Sequence, residues 1–501
     1  MSRGRLARFV VGLVGCAALF CEPSVAHQAV DPAILRLIKP RTGPRPANIE
    51  RRPGTKLVEE GRRLFFEETF GGNGRTCGTC HPASNNFTID PPFVQRLHKI
   101  RPHDPLFVAE FVPLLAKLEN PKLMLQRALI LENVDGFTRP GVLRGVPHTL
   151  GLPVSITSDD GGGGARKPLP FGNATGWSGD GASGKGSLNE FALGAVVQHF
   201  TKRLERVAGT DFRVPEQDEL DAMEAFQLSL GRQQELTREL SSFADASVVV
   251  FSDTAVEDGR KLFHSAPARD GKPRSCAFCH AGAGANDSSG NNRLFATGVN
   301  LAAKAPFRLD STVPVDGGCG FRSVDPGHAD VICDPDTPTG DRGNETFNTA
   351  SLVEAADTPP FFHNNSSDTI EQAVNFYTLD AFNNSPAGAK RAFNLTEDQV
   401  NRIGAFLRAI NAVDNIDNAQ RSLAGASGRP SLLRLLRDPA VVDINDAARV
   451  LSNGPLRLFV GASPVPWLRA AVLNIGRGRI SEALVNLTRA RGLIVKQGPT
   501  P

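Results

Sequence analysis

Two stretches of this 501-residue chain place a histidine directly after two cysteines in Cys-x-x-Cys spacing: TCGTCH, Thr76 to His81, and SCAFCH, Ser275 to His280. Two thiols so spaced can form thioethers to the vinyl groups of one haem, and the adjacent imidazole then reaches the iron as proximal ligand. The chemistry implied is c-type haem attachment, by Cys77, Cys80 and His81 in the first motif and by Cys276, Cys279 and His280 in the second. A thioredoxin-like redox pair needs no histidine in both copies. A four-cysteine zinc site normally brings its second pair much closer than the 199 residues found here.

The other cysteines speak to compartment. Cys16 and Cys21 lie in MSRGRLARFVVGLVGCAALFCEPSVAHQ, where Arg3, Arg5 and Arg8 precede an apolar run that ends before Ser24-Val25-Ala26. This predicts a signal peptide over residues 1–26, cleaved after Ala26, because the apolar run is shorter than the ~20 residues that span a bilayer. Lipid attachment at Cys16 is the alternative. A periplasmic location follows, and in an oxidising compartment Cys319 and Cys333, in the loop GGCGFRSVDPGHADVICDPD, are expected to form a disulfide. The net charge is only +3 and no long Lys/Arg block occurs, which argues against a nucleic-acid partner.

The motifs need elements to hold them, and an internal repeat supplies these. Glu60-Gly61-Arg62-Arg63-Leu64-Phe65 precedes the first motif as Asp258-Gly259-Arg260-Lys261-Leu262-Phe263 precedes the second. Each half closes on a helical pattern: EQDELDAMEAFQLSL aligns Leu220, Met223 and Phe226, and EDQVNRIGAFLRAI aligns Val400, Ile403 and Phe406. The expected fold is mainly α, with two tandem cytochrome c-like haem domains, long loops and a helical C-terminal extension. Its parts are residues 27–245, 246–415 and 416–501. The extension could cover a haem edge, dock a partner or make an oligomer contact.

Between motif and closing helix the halves match again, RGVPHTLGL (Arg144 to Leu152) with FNTASLVEA (Phe347 to Ala355). Setting GWSGDGASGKGSLNEFALGAVVQHF on FFHNNSSDTIEQAVNFY lays His199 on Tyr377, the only tyrosine in the chain. Both side chains can bind iron. The two-motif layout, the Trp-x-Gly-x-Gly loop and TPPFFHNNS...AVNFY resemble the bacterial di-haem cytochrome c peroxidase and MauG superfamily, over about Leu57 to Ala412.

The resemblance implies that Tyr377 is the sixth ligand of the second haem, a place held by Met in the peroxidases and Tyr in MauG. A thioether favours reduced iron, whereas a phenolic oxygen favours higher oxidation states. It also implies that Trp177 lies between the haems as a relay. The family's distal motif SLEEQALGPxxNPxE reads SLNEFALGAVVQHFT here, so Phe191 replaces the Gln, Ala195 the Pro and Thr201 the Glu. His199 faces the same pocket by this register, either as sixth ligand opposite His81 or as an unligated acid/base. His98 and His103 are further candidates, since the family recruits a loop histidine after the first motif. His363 and His148 have no assigned role. An interdomain Ca2+ is implied through the Thr358 and Pro360 carbonyls, but Gly145 stands where the family has an Asn, so the oxygen set is incomplete.

The expected function is a peroxidase-like oxidoreductase drawing electrons from a small donor protein or an oxidisable substrate, with His199, Trp177 and Tyr377 carrying the chemistry. The alternatives are a non-catalytic electron-transfer cytochrome, which the lost Gln/Glu pair favours, and a dioxygen-using relative.

Overall fold

The computed structural model describes residues 37, 39, 54–110, 119, 121–132, 142–152, 176–177, 188–231, 249–281, 294–299, 347–352, 354–426, 428 and 430–497. The signal peptide, the Cys319/Cys333 pair and most of the Gly/Ser-rich insertions lie outside these residues. In chain order the elements are α1 (Lys56–Glu67), α2 (Cys77–Cys80), α3 (Pro91–Ile100), α4 (Pro121–Arg127), β1 (Leu129–Glu132), β2 (Val142–Gly145), α5 (Leu188–His199) and α6 (Gln217–Ser229). There follow β3 (Val250–Phe251), α7 (Thr254–His264), β4 (Leu294–Phe295), β5 (Phe347–Asn348), α8 (Ile370–Phe376), α9 (Asp380–Asn383), α10 (Glu397–Gly425), α11 (Pro430–Ser452), α12 (Val465–Gly476), α13 (Ile480–Ile494) and β6 (Val495–Gln497). The fold is mainly α, and its strands form two-stranded antiparallel pairs.

Thr55 starts α1 by accepting the Val58 amide on its hydroxyl, and Gly61 then brings the helix against α6. A Cβ at Gly61 would stand 1.9 Å from the Ala222 carbonyl oxygen, so only glycine allows this approach. One turn on, Phe65 packs against Phe226 with ring centroids 5.2 Å apart. The second half repeats the device. Asp253 caps α7, a Cβ at Gly259 would lie 1.8 Å from the Arg402 carbonyl oxygen of α10, and Phe263 packs on Phe406 at 5.5 Å. The repeated Gly-x-x-x-Phe of the sequence is therefore a repeated helix crossing, glycine at the contact and aromatic pair beside it.

The closing helices are buried more completely than one apolar stripe requires. Leu220, Met223 and Phe226 are buried, but so are Asp221, Glu224 and Gln227 on the other faces of α6. Helix α10 continues well past the stretch predicted, and nearly every residue from Ile403 to Ala419 is buried. A helix buried all round needs cover on every side. That cover comes from α11 to α13, and the expected boundary at 415/416 falls inside α10. Residues of α12 and α13, including Leu468, Ala471, Leu487 and Ile494, share one core with Val256, Phe263 and Phe406. Strand β6 pairs antiparallel with β3, Val250 opposite Gln497, and Arg491 pairs with the buried Asp417 at 2.7 Å. No helix among the described residues is long and apolar enough to cross a membrane.

Candidate functional site

The first motif is held by its own helix and by the loop after it. Thr76 and Thr79 cap each other around α2, and a Cβ at Gly78 would strike the Phe66 ring at 2.3 Å, so the turn lies flat on α1. Past the motif, the chain returns to place the Phe87 carbonyl 2.8 Å from His81 Nδ1. A carbonyl can only accept, so Nδ1 carries the hydrogen and Nε2 is left with its lone pair, the tautomer a metal ligand requires. His81 lines a cavity of about 200 Å³ together with Val146, His148, Leu152, Trp177, Leu188, Phe191 and Gln227. Burial pushes the Cys77 thiol up to about 12, with Cys80 adding to the effect, and pushes Cys80 up to about 11 against the pull of Arg75. These are protonated thiols, unlike the low-pKa thiolate of a redox Cys-x-x-Cys.

The second motif opens on a 3-10 turn, Cys276–Phe278, and Cys276, Cys279 and His280 all line a second cavity of about 180 Å³. Its other walls are chiefly apolar: Phe263 of α7, Phe295 of β4, Phe382, Phe393, and Ile403 and Leu407 of α10. Tyr377, the C-cap residue of α8, stands in the same wall. Its ring is held edge-on by Phe382, centroids 4.8 Å apart, and by Phe376 at 5.5 Å. The hydroxyl makes no hydrogen bond with a described residue. Burial, with Cys279 and Cys276 nearby, raises the phenol above its ordinary range, so the oxygen is neutral unless a cation faces it.

The two cavities share a wall. Trp177 lines both, as do Asn348, Leu352, Phe361 and Phe362. The indole is fixed by donating Nε1 to the Gly145 carbonyl at 2.8 Å, while its own carbonyl accepts the Asn348 amide at 2.7 Å. It meets the buried His363 edge-to-face at 6.5 Å, and His363 stacks on Phe347 at 3.7 Å. His363, unassigned from sequence, is thus part of an aromatic group beside Trp177.

The remaining predicted residues fall in several places. His199 ends α5 and is half-buried, its carbonyl accepting the Asn73 side-chain amide at 2.9 Å. Burial, then Arg75, Arg206 and His81, pushes it down to about 3. A ring so depressed is neutral near pH 7 and poorly suited to act as a general acid there. It is not among the described residues lining the first cavity, whereas His148 is. Thr201 is buried, but its hydroxyl donates to the Arg203 carbonyl at 2.6 Å. His98 sits edge-on to Phe107 at 4.9 Å and His103 is exposed; neither lines either cavity. At Gly145 a Cβ would lie 2.0 Å from Asn365 Oδ1, and the Asn365 amide donates to the Arg127 carbonyl at 2.8 Å. Asn365 therefore fills the place where the calcium-binding Asn was sought.

Sequence reasoning missed Arg75, one residue before the first motif. It is buried, pairs with Glu119 at 3.0 Å, and donates to the Pro105 and Leu106 carbonyls, tying the motif to the following loop. It also missed a carboxylate group beside the shared wall. Glu354 precedes the turn Ala355–Asp357 and Asp357 ends it, and the two accept from Asn411 and Asn415 of α10. Burial and then the neighbouring carboxylates raise Glu354, while burial and Asp446 lift Asp357 to about 7.

Each cavity offers an imidazole and a largely apolar enclosure that suit a haem c; Cys276 and Cys279 line the second, whereas in the first His81 lines the cavity and Cys77 and Cys80 do not. Among the described residues no three His, Cys, Asp or Glu side chains gather to hold a bare metal ion, a grouping that haem attachment does not need. Comparison of the chain with models of known protein families, and with curated proteins, finds no match.

Proposed function

We propose that this chain is an exported di-haem c-type cytochrome of the cytochrome c peroxidase and MauG kind, working as a peroxidase-like oxidoreductase with electrons from a small donor protein or an oxidisable substrate. The observation that carries this reading is that each Cys-x-x-Cys-His motif contributes its histidine to its own apolar cavity, and that Trp177 stands in the wall common to both. A haem bound in each cavity would supply a redox-active iron able to accept oxidising equivalents from peroxide or dioxygen and exchange single electrons. The chain's own residues do the rest. His81 turns a bare Nε2 away from Phe87, Cys77 and Cys80 supply neutral thiols for covalent attachment, and Leu188 and Phe191 keep water from one wall. Tyr377 presents a phenol oxygen in the second cavity, and Trp177 with His363 and Phe347 gives a continuous aromatic contact between the sites.

One observation favours a second reading, a non-catalytic electron-transfer cytochrome. Phe191 puts hydrocarbon where the resembling peroxidases have Gln, and the Thr201 hydroxyl is committed to Arg203. Mass spectrometry of the exported protein, followed by peroxide turnover with a reduced small cytochrome as donor, tests both. Two covalent haems with peroxide turnover support the peroxidase reading. Two haems, wholly low-spin, whose spectrum peroxide leaves unchanged support the carrier, and a chain without haem ends both.

A further inference from the structure

Building on the di-haem reading, we propose that His148, rather than His199, is the second imidazole of the first haem pocket and would bind the haem iron together with His81. His148 lines the same cavity as His81. Its Nδ1 is buried with no hydrogen-bond partner among the described residues. Such an atom costs free energy unless something entering the cavity satisfies it.

The backbone that carries His148 is held from several sides. The Thr88 hydroxyl donates to the Val146 carbonyl at 2.6 Å, the Gly145 amide donates to the His363 carbonyl at 2.7 Å, and Trp177 Nε1 donates to the Gly145 carbonyl. Pro147, whose ring fixes φ, leads directly into the histidine. The anchor residues come from the loop after the first motif and from the shared wall, so the ring is aimed by the structure that builds the pocket. His199, at the end of α5, is near enough to His81 to feel its charge but is not among the described residues lining the cavity. This placement depends on the loop after β2 folding against both halves, which the repeat register of His199 on Tyr377 does not report.

The test is the ferric spin state of the intact holoprotein, read by EPR and visible absorption, in the unmodified chain and in His148→Ala and His199→Ala. The expected result is a low-spin first haem in the unmodified chain, conversion of half the total haem to high-spin in His148→Ala, and return to low-spin on adding imidazole. His199→Ala keeps the low-spin signal. A first haem already high-spin in the unmodified chain overturns the assignment, as does one left low-spin by His148→Ala or converted by His199→Ala. Misfolding of His148→Ala is read separately by helical circular dichroism, and His148→Met, which keeps a ligand, should then stay low-spin with a raised potential; no shift in potential overturns the proposal. Haem content, measured first, separates failure of this assignment from failure of the di-haem reading: a chain lacking two covalent haems removes both.

Discussion

The glycine at each helix crossing allows a sharp test, because one substitution should have opposite effects at two places. In Gly259→Ala the new methyl lies 1.8 Å from the Arg402 carbonyl oxygen and 2.5 Å from its carbon, both backbone atoms that no side-chain rotation can withdraw. Helices α7 and α10 must part, loosening Phe263 against Phe406. Overpacking of this kind costs about 3 kcal/mol at the upper end of its usual range. Alanine's better helix propensity returns about 1 kcal/mol, leaving a net loss of about 2 kcal/mol. Gly492→Ala, in α13, meets nothing within 4 Å and should gain about 1 kcal/mol from propensity alone. For a unit of this size each kcal/mol moves the melting temperature by about 2–4 °C. Melting followed by far-ultraviolet circular dichroism should therefore fall by about 4–8 °C for Gly259→Ala and rise by about 2–4 °C for Gly492→Ala. Gly61→Ala should fall with Gly259→Ala, since the Ala222 oxygen is as close. A Gly259→Ala chain that melts at or above the unmodified protein would refute the argument that the repeat is a glycine-mediated crossing.

Three further outcomes are expected. Tyr377→Phe should change the ferric spectrum of half the haem while altering stability by less than about 1 kcal/mol, since the hydroxyl has no hydrogen bond with a described residue to lose; an unchanged spectrum removes the ligand role. Trp177→Phe loses the bond to the Gly145 carbonyl, costing about 1 kcal/mol, and should slow electron equilibration between the haems in stopped-flow absorption; an unaltered rate removes the relay. Asp357 holds its proton to about pH 7 when folded but only to about pH 4 when unfolded, so the folded chain binds more protons between these values. Its contribution is then greatest below about pH 4 and is lost as pH rises to about 7, so Asp357→Asn should flatten the fall in urea midpoint over that window. An equal slope in the two proteins contradicts this.

What could be read from residues was what chemistry fixes locally. A Cys-x-x-Cys-His turn brings its own three groups together, so the two motifs needed no fold to be visible. Helix periodicity likewise located α6 and the start of α10, because one buried face leaves a mark at every third or fourth residue. The mark faded where burial was complete: Asp221, Glu224 and Gln227 are buried polar residues that no apolar stripe announces. The extension past residue 415 looked separable for the same reason, although it covers the remaining faces of α10 and adds β6 to β3.

The sequence by itself determined the paired motifs, the Gly-x-x-x-Phe repeat and the singularity of Tyr377, since each is a matter of residue type and short spacing. Only the tertiary structure decided that Trp177 belongs to both cavities, that His148 rather than His199 lines the first, and that Arg75 ties the motif to its loop. These relations join residues tens to hundreds of positions apart, across loops whose lengths differ between the halves. Register carried from one repeat to the other therefore cannot predict which imidazole the chain brings to the pocket.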